Sequence, residues 1–200
     1  IFVNGKLAGS HTGGYTGFSV DISSYVRKGD NLIAIRVNNL WRPDIAPRAG
    51  EHVFSGGIYR NVHLVKTKHC HIAWYGTFIT TPDLEENNGQ STRIKIETEI
   101  INECRESGIY RLLTHILDRN GNRVAEVETT DTIAAGSDRK FVQFTSPVYQ
   151  PDLWNPQHPC LYRAVSMVYH NGELTDSIQT SFGFRWFKWT ADKGFFLNGT

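Results

Sequence analysis

Arg93-Ile94-Lys95-Ile96-Glu97-Thr98-Glu99-Ile100-Ile101 alternates apolar and charged side chains with hardly a break. Successive side chains of an extended chain point to opposite faces, so Ile94, Ile96, Thr98 and Ile100 share one face. Arg93, Lys95, Glu97 and Glu99 share the other. One face is core and the other is water, as in an antiparallel sheet solvated on one side.

Working outward, six further stretches read as strands: 72–80, 110–117, 124–128, 140–144, 161–169 and 174–182. Asn120-Gly121, Ala135-Gly136 and Asn171-Gly172 divide them, and Asn-Gly in particular tolerates the positive φ of a tight hairpin turn. Seven short strands between residues 67 and 184 predict an immunoglobulin-like β-sandwich. No long helix fits anywhere. The fold class is therefore all-β.

Before that domain the signals are sparser. Asn4-Gly5 between Ile1-Phe2-Val3 and Lys6-Leu7-Ala8 reads as a hairpin, and Asp21 caps a single helical turn over 21–26. Strands are expected at 32–37 and 58–65, separated by a long polar loop holding Trp41, Pro43, Pro47 and Gly50. Residues 1–66 with so few strands make less than a closed sandwich. Residues 185–200 depart from the strand pattern through their aromatic density: Trp186, Phe187, Trp189, Phe195 and Phe196. Because Ile1 already stands inside a strand and Asn198-Gly199 signals a turn at the other end, both ends are expected to be cut.

Twenty-one Lys and Arg against 20 Asp and Glu leave a net charge of +1, with no basic stripe for phosphates. Nucleic acid is not an expected partner. No apolar run approaches the roughly 20 residues of a membrane-spanning helix, so a soluble protein is expected, cytoplasmic or periplasmic in a bacterium. Cys70, Cys104 and Cys160 are an odd set without CxxC spacing and suggest neither a zinc site nor a disulfide framework. In an immunoglobulin-type topology Cys104 and Cys160 fall at opposite ends of the sandwich, beyond bonding reach.

No stretch assembles a catalytic constellation, and no metal site is expected. His69 and His71 share a strand face at the spacing of a metal pair but lack a third ligand nearby. Glu97 and Glu99 are same-face neighbours, yet Arg93 and Lys95 stand beside them, which makes a solvated charge ladder. Gly13-Gly14 and Gly56-Gly57 lack the strand-to-helix context of a phosphate loop and mark turns or bulges. Trp154 reads as a packing residue. Trp41, between Leu40 and Arg42 in the polar loop, offers either an aromatic platform for a sugar ring or an interdomain packing surface.

Several blocks together carry a family resemblance. Phe2-Val3-Asn4-Gly5-Lys6, His11-Thr12-Gly13-Gly14-Tyr15, Asp21-Ile22 and Gly56-Gly57-Ile58-Tyr59-Arg60-Asn61-Val62 resemble the second half of the sugar-binding jelly-roll domain of glycoside hydrolase family 2. Leu153-Trp154-Asn155-Pro156 with Pro159 and Leu161-Tyr162 is similar to the corner of that family's immunoglobulin-like domain. Phe182-Gly183-Phe184-Arg185 and Gly194-Phe195-Phe196-Leu197-Asn198-Gly199 resemble its lead-in to the catalytic barrel.

That resemblance implies three segments: 1–66 as the C-terminal half of the jelly roll, 67–184 as the immunoglobulin-like sandwich, and 185–200 as the start of a (β/α)₈ barrel. It further implies a parent that is a retaining hydrolase, β-galactosidase-like with β-glucuronidase as the alternative, whose two catalytic Glu lie on barrel strands outside this chain. The barrel is then the chain's partner and a β-galactoside the parent's substrate. Within the family an acidic residue ahead of the Gly-Gly-Ile-Tyr-Arg block reaches substrate or a nearby cation. Glu51 occupies that position, where the family carries Asp, and His52 stands beside it. A carboxylate there can accept from sugar hydroxyls or ligate the parent's Mg²⁺ or Na⁺, with no cofactor held by this chain alone. A reading of a different class makes the chain a free-standing β-sandwich module that binds glycan or protein through loop 38–52.

Overall fold

Asn4 and Gly5 take φ of 51° and 81°, and the hairpin they close pairs β1 (Phe2–Val3) with β2 (Lys6–Leu7) in antiparallel register. β3 (Ile33–Ala34) lies on the other side of β1, with Phe2 opposite Ala34 and Val3 opposite Ile33. The computed structural model describes residues 1–45 and 56–200, which form two units, Ile1–Leu64 and Val65–Thr200.

In the first unit, Asp21 Oδ1 accepts from Ser23 N at 2.8 Å and one helical turn follows, closed by Tyr25 N and Val26 N on Ile22 O. Asn4 pins the hairpin to the next segment: its amide donates to Tyr25 O and Asn31 Oδ1, and its Oδ1 accepts from Leu32 N. Two expectations fail here. The strand at 32–37 contracts to Ile33–Ala34, because β1 offers only two residues to pair with, and Ile35 and Val37 stay exposed. Residues 58–65 join no ladder among the described residues, and Ile58, Val62 and Leu64 lie open to solvent. An alternating pattern specifies a strand only where a neighbour supplies the backbone partners.

The second unit is a seven-stranded sandwich. One sheet orders β12-β11-β7-β8, built from β7 (Gly108–Leu117), β8 (Arg123–Ile133), β11 (Tyr162–His170) and β12 (Glu173–Phe182). The facing sheet orders β4-β6-β9, from β4 (Cys70–Thr80), β6 (Lys95–Asn102) and β9 (Ser137–Phe144). Short β5 (Ser91–Thr92) and β10 (Val148–Tyr149) pair with each other, and β13 (Phe187–Thr190) with β14 (Gly194–Leu197) forms a terminal hairpin. All seven expected strands are present. The four short ones were not expected, since a run of two to four residues leaves no periodicity to read.

β4 departs from simple alternation. Its register with β6 shifts between Ile72 and Thr77, Tyr75 sits at φ 54°, and a Cβ on Gly76 would lie 2.8 Å from Ala73 O. The bulge turns Trp74 and Tyr75 out to solvent, 54% and 83% exposed.

Alternation from Ile94 into β6 is realised as expected. Ile94, Ile96, Thr98 and Ile100 have no exposure, while Lys95 and Glu97 form a 2.6 Å ion pair on the outer face. Each isoleucine so buried contributes roughly 1.5–3 kcal/mol. The interior contains two apolar clusters, one around Ile94, Ile96, Ile116, Ala164 and Phe184, the other around Cys70, Ile100, Tyr110, Leu112 and Val168. Between them runs a buried polar layer of Thr98, Thr114, Gln143 and Ser166. No helix among the described residues is long and apolar enough to cross a membrane.

Candidate functional site

Trp41 belongs to a loop whose shape is set by its polar neighbours. Asn38 Oδ1 accepts from Leu40 N at 3.1 Å, and Arg42 forks onto Asp44, Nε to Oδ1 at 3.0 Å and a terminal nitrogen to Oδ2 at 2.5 Å. Pro43 lies between the two in the chain, and Ile45 N reaches Arg42 O at 3.4 Å to close a turn. The guanidinium holds the Asp44 carboxyl below its ordinary value, so the group is ionised under physiological conditions. Trp41, three positions before Asp44 in the chain, is 63% exposed. An exposed indole and an ionised carboxylate on one loop are the side-chain types that suit a sugar ring, whose C–H face stacks on aromatics and whose hydroxyls donate to carboxylates. Glu51 and His52, the other residues expected at this loop, lie outside the described residues.

The remaining sequence candidates resolve into structural roles. His69 and His71 are not brought together on a ligand: His69 Nδ1 approaches Glu103 at 3.9 Å, and His71 Nδ1 lies 3.0 Å from Lys68 O. Glu97 pairs with Lys95 and, at 3.6 Å, with Lys140, which completes a charge ladder and lowers its carboxyl from the ordinary value. Trp154 packs as expected. Arg185 lies over its ring at 4.6 Å, and a Cβ on Gly183 would come within 2.9 Å of its Cβ. Its backbone N donates to Phe184 O at 2.8 Å, and its O accepts from the Asn198 amide at 3.0 Å.

All three cysteines are free; Cys70 and Cys160 are buried in the two different core clusters. One constellation was missed by sequence reasoning. Asp152, His158 and Cys160 converge in the turn that leads from β10 into β11. The available signal was His-x-Cys with an aspartate shortly before it, but a search for paired cysteines passes over a mixed donor set.

Two sequence profiles match the chain: that of the glycosyl hydrolases family 2 over residues 70–185, and that of the same family's sugar binding domain over residues 1–68. A β-galactosidase of Bacteroides ovatus is 34% identical over 201 residues, and a β-glucuronidase of Formosa agariphila 30% over 215. Both alignments take in all of this chain and only 22% of the relative. The crystal structure of a Bacteroides uniformis β-glucuronidase superposes with a TM-score of 0.88 at 33% identity, covering 99% of this chain and 24% of that one. The chain thus spans under a quarter of the length of these relatives.

Proposed function

The chain belongs to the glycosyl hydrolases family 2, and from that premise we propose that it is the non-catalytic scaffold of a retaining glycosidase acting on terminal β-galactosides. The observation that carries the scaffold reading is the bare apolar surface of the first unit. Leu32, Ile33, Ile35 and Val37 are all between 39% and 72% exposed, a density of apolar side chains that calls for a covering layer. The remainder of the parent enzyme is the partner that supplies it. Chemistry belongs to a barrel bearing an acid/base and a nucleophilic glutamate, while this portion braces the barrel and shapes the rim of its site.

Within that reading Trp41 and the Glu51–His52 pair belong to the rim. Their role is to hold substrate, so their loss acts on binding more than on the chemical step. The identity to a β-galactosidase supports the substrate, and a β-glucuronide is the second reading, supported by the equally extensive match to β-glucuronidases.

Three assays test the proposal. The 200-residue chain alone is expected to leave a chromogenic β-galactoside intact, and turnover by it would place a catalytic site within the chain. The complete parent is expected to hydrolyse the β-galactoside with higher kcat/KM than the β-glucuronide; the reverse order replaces the first reading with the second. In that parent, Glu51→Ala raises KM with little change in kcat, and unchanged kinetics remove Glu51 from the rim.

A further inference from the structure

The corner entering β11 gathers three donors of different hardness. Asp152, His158 and Cys160 each offer one ligand atom, and these atoms all lie within 4.8 Å of one another. Cys160 is only 7% exposed and forms the floor, while Asp152 and His158 are exposed at the mouth. The thiol points at the carboxylate, Sγ to Asp152 Oδ2 at 3.9 Å.

The backbone under these side chains is tied down. Asn155 Oδ1 accepts from Gln157 N at 3.0 Å and His158 N at 2.7 Å, and His158 O accepts from Cys160 N at 2.8 Å. Asp152 N donates to the Tyr162 phenol oxygen at 3.1 Å. The ligand-bearing residues are therefore placed by the fold, and only the side chains need to move when an ion enters.

Tetrahedral coordination with a metal–sulfur bond near 2.3 Å and metal–nitrogen or metal–oxygen bonds near 2.0–2.1 Å sets donors about 3.3–3.7 Å apart. The 3.9 Å between Cys160 and Asp152 is close to that spacing already. His158, at the solvent-facing mouth, swings in to close the rest. Calcium and magnesium take oxygen donors, whereas one sulfur, one nitrogen and one oxygen suit a borderline-soft ion.

We propose that Asp152, His158 and Cys160 bind one divalent cation of the zinc class, with water as the fourth ligand. As the metal–sulfur bond forms, the thiol proton leaves to solvent, and no electron is transferred. The bound ion ties the turn to the start of β11 and stabilises the second unit through its preference for the folded chain.

The test uses the reduced, chelator-treated 200-residue chain and Co²⁺ alone. One equivalent is expected to produce a thiolate-to-cobalt charge-transfer band, which Zn²⁺ then abolishes while raising Tm. His158→Ala and Asp152→Asn, both at exposed positions, raise the Kd for Co²⁺ about tenfold or more. Cys160→Ser removes the band, and His69→Ala leaves it unchanged. The proposal is overturned if no thiolate band forms at one equivalent, if it persists in Cys160→Ser, or if the Kd is unaltered in both exposed variants. Should Cys160→Ser not fold, the two exposed variants decide the matter, and neither outcome bears on which glycoside the parent cleaves.

Discussion

Thr114 Oγ1 donates to Gln143 Oε1 at 2.8 Å, a hydrogen bond that joins β7 of one sheet to β9 of the other through the middle of the core. Gln143 Nε2 continues to Leu112 O at 3.0 Å and Thr129 Oγ1 at 3.3 Å, and Ser166 Oγ lies 3.2 Å from Thr114. Replacing Gln143 by Leu removes a buried partner from Leu112 O, the Thr129 hydroxyl and the Thr114 hydroxyl, and leaves Thr114 with Ser166. The unfolding free energy is expected to fall by about 1–3 kcal/mol, read as a lower urea midpoint at unchanged m. Thr114→Val added to Gln143→Leu restores part of the loss, because removing both partners costs less than orphaning one. An additive double variant would show the pair to be uncoupled.

Tyr110 is fully buried, and among the described residues its hydroxyl makes no hydrogen bond of ordinary geometry, with only the Cys70 thiol bearing on it as a weak partner. Burial, with the neighbouring Cys70 and Cys104, pushes the phenol up to about 12 from its ordinary 10.0. A folded-state value above the unfolded one means the unfolded chain loses its proton first, so this stabilisation is complete below 10.0 and lost as pH rises from there towards about 12. Tyr110→Phe is expected to match or exceed the parent chain in Tm at neutral pH and to lose that alkaline decline. A large drop in Tm at neutral pH counts against the weakly partnered hydroxyl.

At the acid end the sign reverses. Arg93 forks onto Asp83, Nε to Oδ2 at 2.8 Å and a terminal nitrogen to Oδ1 at 3.1 Å, and this holds the carboxyl below 3.8. Asp118 is lowered likewise, chiefly by the Asn122 side chain. Carboxyls with depressed folded values stabilise above their unfolded value near 3.8, and the contribution disappears as pH falls through the folded one. Stability is expected to hold at mildly acidic pH and decline below about 4. Asp83→Asn shallows that decline while costing under about 1 kcal/mol at neutral pH. An unaltered acid limb in that variant removes Asp83 from the account.

Asn198 fastens the terminal hairpin to the sandwich. Its Nδ2 donates to Trp154 O at 3.0 Å, its Oδ1 accepts from Trp186 N at 3.2 Å, and its backbone N donates to Trp186 O at 2.9 Å. Asn198→Asp keeps the shape but turns a donor into an acceptor facing a carbonyl. A loss of about 1–3 kcal/mol and a red-shifted tryptophan emission are expected. Wild-type fluorescence and stability in this variant would mean that the hairpin is held by packing alone.

The same hairpin leaves Phe187, Trp189 and Phe195 exposed at 54%, 75% and 49%. The Trp189 and Phe195 rings meet at a tilt of 52° with centroids 4.7 Å apart, which makes a contiguous apolar patch. Patches of this kind promote association. Sedimentation of the 200-residue chain is expected to show concentration-dependent oligomers that Trp189→Ser weakens, and an equal tendency in the variant shifts attention to the first unit.

The sandwich was legible because its strands are long enough to show a period. Ile94 to Ile100 declare a buried face through alternation alone, and Asn171-Gly172 declares a turn through the φ values of 51° and 82° that it adopts. The first unit read less well, since Ile35 and Val37 look half-buried by pattern and are exposed for want of a neighbouring strand. Of the expected site, Trp41 stands exposed on a loop that also carries the ionised Asp44, an acidic residue that local pattern did not single out. Glu51 and His52 came to notice only through a resemblance.

The amino-acid sequence by itself determined the fold class, which face of the strand from Ile94 to Ile100 is core, and membership in the glycosyl hydrolases family 2. These follow from local geometry and from residues in order. Tertiary structure alone decided the division of the core by Thr114, Gln143 and Ser166, and the convergence of Asp152, His158 and Cys160 within 4.8 Å. Both depend on strand register and on the path of a turn, which bring together side chains whose spacing along the chain carries no period to read.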